Sequence, residues 1–125
     1  MIDRVRREPD LMGLKDSLPE PDRVVFTSSE VAYLFRDAML EAACSGIYGV
    51  AWDLALLARP WGFQLQDISM KVHLWHGEVD KNVSLTVGRS VASAIPNCQA
   101  RFLPDEGHFS LIVNHAEEIL SVLVA

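Results

Sequence analysis

Residues 71–110 read KVHLWHGEVDKNVSLTVGRSVASAIPNCQARFLPDEGHFS, and the punctuation of this stretch decides the fold. Lys71–His76 is a short apolar run stopped by Gly77, which by length and composition predicts a strand. Ser84 is placed to cap a helix running to Ile95, closed by Pro96 and Asn97. Cys98–Leu103 then reads as a second strand and breaks at Pro104. After the loop Asp105–Ser110, Asn114 with Glu117 has the spacing of a helix cap. Ala116, Ile119, Leu120 and Leu123 form the expected buried stripe of the last helix. Strand, helix, strand and helix joined by short loops predict a βαβα unit with two parallel strands. The fold class is therefore α/β.

Working outward, the chain before residue 63 reads as helical. MIDRVRREPDLMGLKD is read as a short helix, and SLPEPDR, with Pro19 and Pro21, as a loop. Thr27-Ser28-Ser29-Glu30 matches a capping box. Behind it, Val31, Leu34, Phe35, Ala38, Met39 and Ala42 share one face at helical spacing, with Gly46 as the stop. A second helix is expected from Tyr48 to Ala58, ending before Pro60, with Trp52 and Trp61 as packing anchors. The expected organisation is a helical, cap-like segment over 1–62 and a βαβα segment over 63–125, folded as one compact unit.

The balance of residues narrows the function classes. The chain has 125 residues, half of them hydrophobic and 22% charged, so it folds around a core and is not intrinsically disordered. Seventeen acidic against eleven basic side chains give a net charge of −6, which argues against non-specific nucleic-acid binding. Cys44 and Cys98 have no metal-like or CxxC spacing and are expected as free thiols in a reducing compartment. No apolar run approaches the roughly 20 residues of a membrane span, and the charged start MIDRVRREPD does not fit a secretory signal. A soluble cytoplasmic protein is expected, with no cofactor, no metal, no nucleic-acid partner and no membrane partner.

Chemistry is expected at the carboxyl ends of the parallel strands, where open α/β sheets carry their sites. The two loops there are Gly77-Glu78-Val79-Asp80 and Asp105-Glu106-Gly107-His108-Phe109. An acid in one loop and an imidazole in the next meet across neighbouring strands. Asp80 would then fix the His108 tautomer and leave its other nitrogen as a base. Gly107 would let the backbone turn and present the ring. Asp and Gly are also common in such loops for turn reasons alone, so the spacing by itself supports a structural reading equally well.

Taken together, KVHLWHGEVDKNV…GRSVASAIPNCQARFLPDEGHFSLIVNHAEEIL resembles the C-terminal end of an α/β-hydrolase. The upstream AWDLALLARPWGF, joined to Phe63–Ser69, is similar to the junction between helical cap and last core strands in the iminopeptidase-like and esterase-like branch. The resemblance covers about residues 22–125. It implies that Asp80 is the acid and His108 the base of a Ser-His-Asp triad for ester or amide hydrolysis. It also implies that residues 1–62 form most of a cap and that the two strands are the last of a larger sheet, with six of the usual eight missing.

The chain departs from that family in its nucleophile. No G-x-S-x-G elbow is present. Cys44-Ser45-Gly46 lacks the first glycine, and Gly88-Arg89-Ser90-Val91-Ala92 ends in alanine and falls inside an expected helix. The expectation is a hydrolase piece, inactive alone, whose serine belongs to a segment outside it: a truncated gene product, one half of a split gene or a cut piece. The other expectation is a non-catalytic assembly or binding module that keeps the Asp–His pair as a relic. A homo-oligomer is expected in either case, pairing two 71–76 strand edges or exchanging cap helices. A chain carrying the missing half is the other expected partner.

The remaining candidates have weaker signals. His73 and His76 are three apart on a strand and point to opposite faces, a poor chelating pair. His115 is expected in solvent at the start of the last helix, and Glu78 and Glu106 as exposed loop acids or supports to the site. Arg4, Arg6 and Arg7 read as a solvated helix face. Ser45 and Ser110 are the hydroxyls that a recruited nucleophile would use.

Overall fold

The computed structural model describes residues 14–44, 46 and 48–123. Its centre is a pair of parallel strands, β1 (Val72–Gly77) and β2 (Cys98–Leu103), in register from Val72 opposite Cys98 to Gly77 opposite Leu103. Among the described residues the sheet has these two strands. The helices are α1 (Glu20–Val25), α2 (Ser29–Ala42), α3 (Tyr48–Leu57), α4 (Leu85–Ala94) and α5 (Ser110–Ser121). Short 3-10 turns lie at Leu14–Ser17 and Leu65–Asp67. The order β1–α4–β2–α5 is the βαβα unit expected from the sequence, and its strands are parallel. The fold is mixed α/β.

Two compact units are present. One contains the described residues up to Ser17 and Phe26–Phe63; the other contains Leu18–Val25 and the chain from Gln64 on. The second unit is thus discontinuous in sequence. Its apolar core includes Leu18, Val25, Ile95 and Leu111, and helix α1 packs against α5. The SLPEPDR stretch, expected as a loop, is helical from Glu20. Pro21 occupies the first turn, where no backbone N–H partner is required, so the proline costs the helix nothing there. Docking of Val25 and Asp22, both buried, supplies the stability that a six-residue helix lacks alone.

In the first unit, α2 and α3 form close to their expected limits, but their packing differs from the expected pattern. The N-cap of α2 is Ser28, one residue after the Thr27 of the expected box, and it makes no side-chain cap hydrogen bond. Ala32 is the buried position of α2, whereas Leu34, expected on the inner face, is 72% exposed. Phe26 and Phe35 meet edge to face at 5.2 Å. Trp52 and Trp61, expected as packing anchors, are each more than half exposed. Trp52 carries the Arg59 guanidinium over its ring, and Trp61 lies beside Phe63. Gly46 has a φ of 94°, the left-handed backbone that suits a glycine after a helix end.

The last helix begins four residues before its expected cap. Ser110, not Asn114, opens α5, because the cap comes from outside the local sequence. Leu111 is buried and Ala116 and Ile119 are half-buried, while Leu120 and Leu123 of the expected stripe are exposed. Gly88 sits against the His76 ring, which a Cβ at that position would strike. His76 is buried and His73 exposed, the opposite faces that strand geometry requires. The Arg4–Arg7 cluster and Ser45 lie outside the described residues.

Candidate functional site

Strands β1 and β2 end side by side, and the loops that leave them are tied together. Glu78 donates its backbone N–H to the Leu103 carbonyl at 2.8 Å, and Val79 donates to the Glu106 carbonyl at 3.2 Å. Gly77 is needed for this approach, since a Cβ there would run into the Glu106 and Gly107 carbonyls. The crossing brings Asp80 and His108 together. His108 Nδ1 lies 2.9 Å from Asp80 Oδ2.

Each part of the pair is fixed. Asp80 Oδ1 accepts the backbone N–H groups of Asn82 at 2.7 Å and Val83 at 2.9 Å, so both carboxylate oxygens are engaged. Burial pushes the Asp80 carboxyl up. The Val83 amide, the His108 ring and the Asn82 amide outweigh that effect and hold it below the ordinary 3.8. An ionised Asp80 accepts, so Nδ1 carries the proton and Nε2 keeps its lone pair in the neutral ring. The Phe109 ring stands edge-on to the imidazole at 5.0 Å. The Asp80 side chain is 6% exposed and that of His108 38%, so the carboxylate is covered while the imidazole reaches the surface. Such an arrangement takes a proton from a hydroxyl or water and stabilises the imidazolium that results.

The main chain of the histidine loop is held by a residue that the sequence reading passed over. Asp22 of α1 is 1% exposed. Its Oδ2 accepts the His108 backbone N–H at 3.0 Å, and its Oδ1 accepts those of Phe109 at 3.0 Å and Ser110 at 2.8 Å. These are donors at the start of α5 with no carbonyl partner within the helix. A carboxylate is well suited to them, by hydrogen bonding and by the positive end of the helix dipole. Ser110 Oγ accepts the remaining amide of the loop, that of Gly107, at 2.8 Å. Ser110 is fully buried in this role, which removes it as a candidate nucleophile. The φ of Gly107, expected to let the backbone turn, is not positive. The glycine is needed because a Cβ would collide with the Asp22 carboxylate.

His115 departs from the expectation that it lies in solvent, and Glu106 is its partner. His115 is half-buried, with Nε2 3.0 Å from Glu106 Oε1 and Nδ1 3.5 Å from Glu118. Burial pushes the Glu106 carboxyl up, yet hydrogen bonds from Ser110, Asn114 and His115 hold it below 4.5. Glu118 is lowered mainly by its hydrogen bond with Arg101, whose guanidinium lies over the Trp75 ring. Glu78 pairs with Arg89 at 3.2 Å. Gly88-Arg89-Ser90-Val91-Ala92 lies within α4, where no strand-to-helix elbow exists. Among the described residues no cluster of three or more potential ligands could hold a metal ion, and no helix is long and apolar enough to cross a membrane.

No family model matches the chain, and no curated protein or solved structure does so.

Proposed function

We propose that this chain is an α/β-hydrolase-like piece that supplies the acid, Asp80, and the base, His108, of a Ser-His-Asp triad for ester or amide hydrolysis. What supports the reading is the 2.9 Å bond between His108 Nδ1 and an Asp80 carboxylate whose other oxygen is occupied by two amides. That bond leaves Nε2 as the working nitrogen. The nucleophile and the oxyanion donors come from a segment outside these 125 residues, since no G-x-S-x-G elbow is present. The chain alone is inactive: loss of the nucleophile removes on the order of a million-fold in turnover, and the oxyanion donors belong to the same outside segment.

The experiment is turnover of a short-chain p-nitrophenyl ester by the chain and by His108→Ala. Equal, near-zero rates in both are expected. Adding a segment that carries a serine elbow should then restore hydrolysis in the parent chain and not in His108→Ala. Restoration that is indifferent to His108 would sink the reading. A non-catalytic assembly module is the second reading, and it draws on helix α3, where Tyr48, Trp52, Leu54 and Leu57 are all exposed. Light scattering at micromolar concentration tests that reading and the expected homo-oligomer together. A monomer at all concentrations would count against both.

A further inference from the structure

The Asp80–His108 pair is held at two levels. Asp80 fixes the ring, and the Val79 N–H holds the neighbouring loop at the Glu106 carbonyl, two residues before the backbone from which the ring projects. That backbone is held by Asp22. Three successive amides, those of His108, Phe109 and Ser110, converge on one buried carboxylate at 2.8–3.0 Å. With Gly107 bonded to Ser110 Oγ, each N–H from 107 to 110 ends on a side-chain oxygen. The N-cap of α5 is Phe109, which has no side-chain acceptor, and the cap comes instead from the Asp22 oxygens. The fit is close on the other side as well, because Gly107 leaves just the space that the carboxylate fills.

We propose that Asp22 is a positioning residue: through three backbone amides it sets the main chain of His108 so that the ring meets Asp80. The proposal deepens the acid–base reading and rests on it. Asp22 touches neither ring nitrogen of His108 in any bond described above; its effect passes entirely through the peptide groups. It follows that α1 is as much a part of the site as the two strand-end loops. Replacing the carboxylate by a carboxamide keeps the volume but turns an N–H donor toward the amides. At least one bond is lost and a donor faces a donor.

The test uses the whole 125-residue chain and proton NMR with labelled histidine. The first readout is the low-field resonance of the His108 Nδ1 proton, assigned by its absence in His108→Ala. The second is amide exchange at 108–110 compared with that in β1 and β2. In Asp22→Asn the Nδ1 proton should broaden or vanish, and the 108–110 amides should exchange at least about tenfold faster, the factor expected for one lost hydrogen bond. Exchange in β1 and β2 should rise by a smaller factor, since those amides feel only the unit's loss of overall stability. Leu18→Ala, which empties core volume in the same unit, should leave the Nδ1 proton in place at temperatures where it is folded. An equal loss there would reduce Asp22 to general stability and overturn the proposal, as would parent-like spectra in Asp22→Asn.

Asp80→Asn separates the contact at the ring from the hold on the backbone. It should remove the Nδ1 resonance while the 108–110 amides stay protected. If the resonance survives Asp80→Asn, the acid–base reading fails; if it disappears there but persists in Asp22→Asn, only the positioning role fails. Should Asp22→Asn not fold, Gly107→Ala probes the same contact by pushing the carboxylate away with its charge intact. The expected result is again loss of the Nδ1 proton, and its persistence in folded Gly107→Ala would overturn the proposal.

Discussion

Helices α3 and α5 have similar lengths, 10 and 12 residues, and both are rich in apolar side chains, yet they are used in opposite ways. In α5 burial is one-sided: Leu111 is buried and Ile119 half-buried while Ile112, Val113 and Leu120 are exposed, and the start of the helix delivers its amides to a buried carboxylate. In α3, YGVAWDLALL, apolar residues are spread around the axis and none is buried. A stripe tells a helix which face to hide, whereas a helix that is apolar all round has no such instruction and needs cover on every side. The second unit is therefore where sequence changes should be felt, and the first helix pair is where they should be tolerated.

The largest effect is expected at the amide cluster. Asp22→Ala leaves three donors at the buried start of α5 unpaired, and the second unit should lose about 3–5 kcal/mol. Chemical denaturation followed through the exchange of β1 amides checks this; a loss below about 1 kcal/mol would mean that water reaches those amides freely. Next comes Leu111→Ala, which empties a position 9% exposed and should cost about 2–4 kcal/mol in the same assay. At the other end of the comparison, Trp52→Ala in α3 should change stability by no more than about 1 kcal/mol, mostly its stacking with Arg59. A cost as large as that of Leu111→Ala would erase the contrast between the two helices.

A smaller effect concerns pH. Asp80 and Glu106 are both held below their ordinary values of 3.8 and 4.5, so the folded state binds fewer protons than the unfolded chain across that range. Their contribution is complete above about pH 5 and fades as pH falls through the lowered folded values. Acid titration of the parent should thus show stability declining below that point. Asp80→Asn should flatten the limb, being less stable than the parent at neutral pH and closer to it at pH 3. An unchanged acid limb in Asp80→Asn would mean that its three hydrogen bonds do not favour the ionised form.

What could be read from the sequence was whatever is decided locally. Strand Cys98–Leu103 has the limits that Pro96-Asn97 and Pro104 impose, and α4 lies between the Ser84 cap and Ile95 as its punctuation requires. Asp80 and His108 were legible because strand ends and loop lengths alone put them side by side. The start of α5 was not, since its capping group lies 88 residues upstream of Ser110. For the same reason SLPEPDR looked like a loop: two prolines are visible in the sequence, but the three amides waiting for Asp22 are not. In α2, burial follows Ala32 rather than the stripe through Leu34, a phase that periodicity alone does not reveal.

The bond from Asp22 to the histidine loop has a consequence for how the molecule assembles. The Asp80–His108 contact closes 28 residues, but the Asp22 contacts close 86 to 88, with the whole of Phe26–Phe63 intervening. Contacts of such separation require the most loop-closure entropy and tend to form late, after the local strand–helix–strand has condensed. A refolding chain should therefore gain its sheet before it gains an ordered His108. The same separation makes the intervening segment a tether. A chain cleaved between residues 26 and 63 would carry Asp22 on one piece and His108 on the other, and an intramolecular closure would become a bimolecular one that falls apart on dilution.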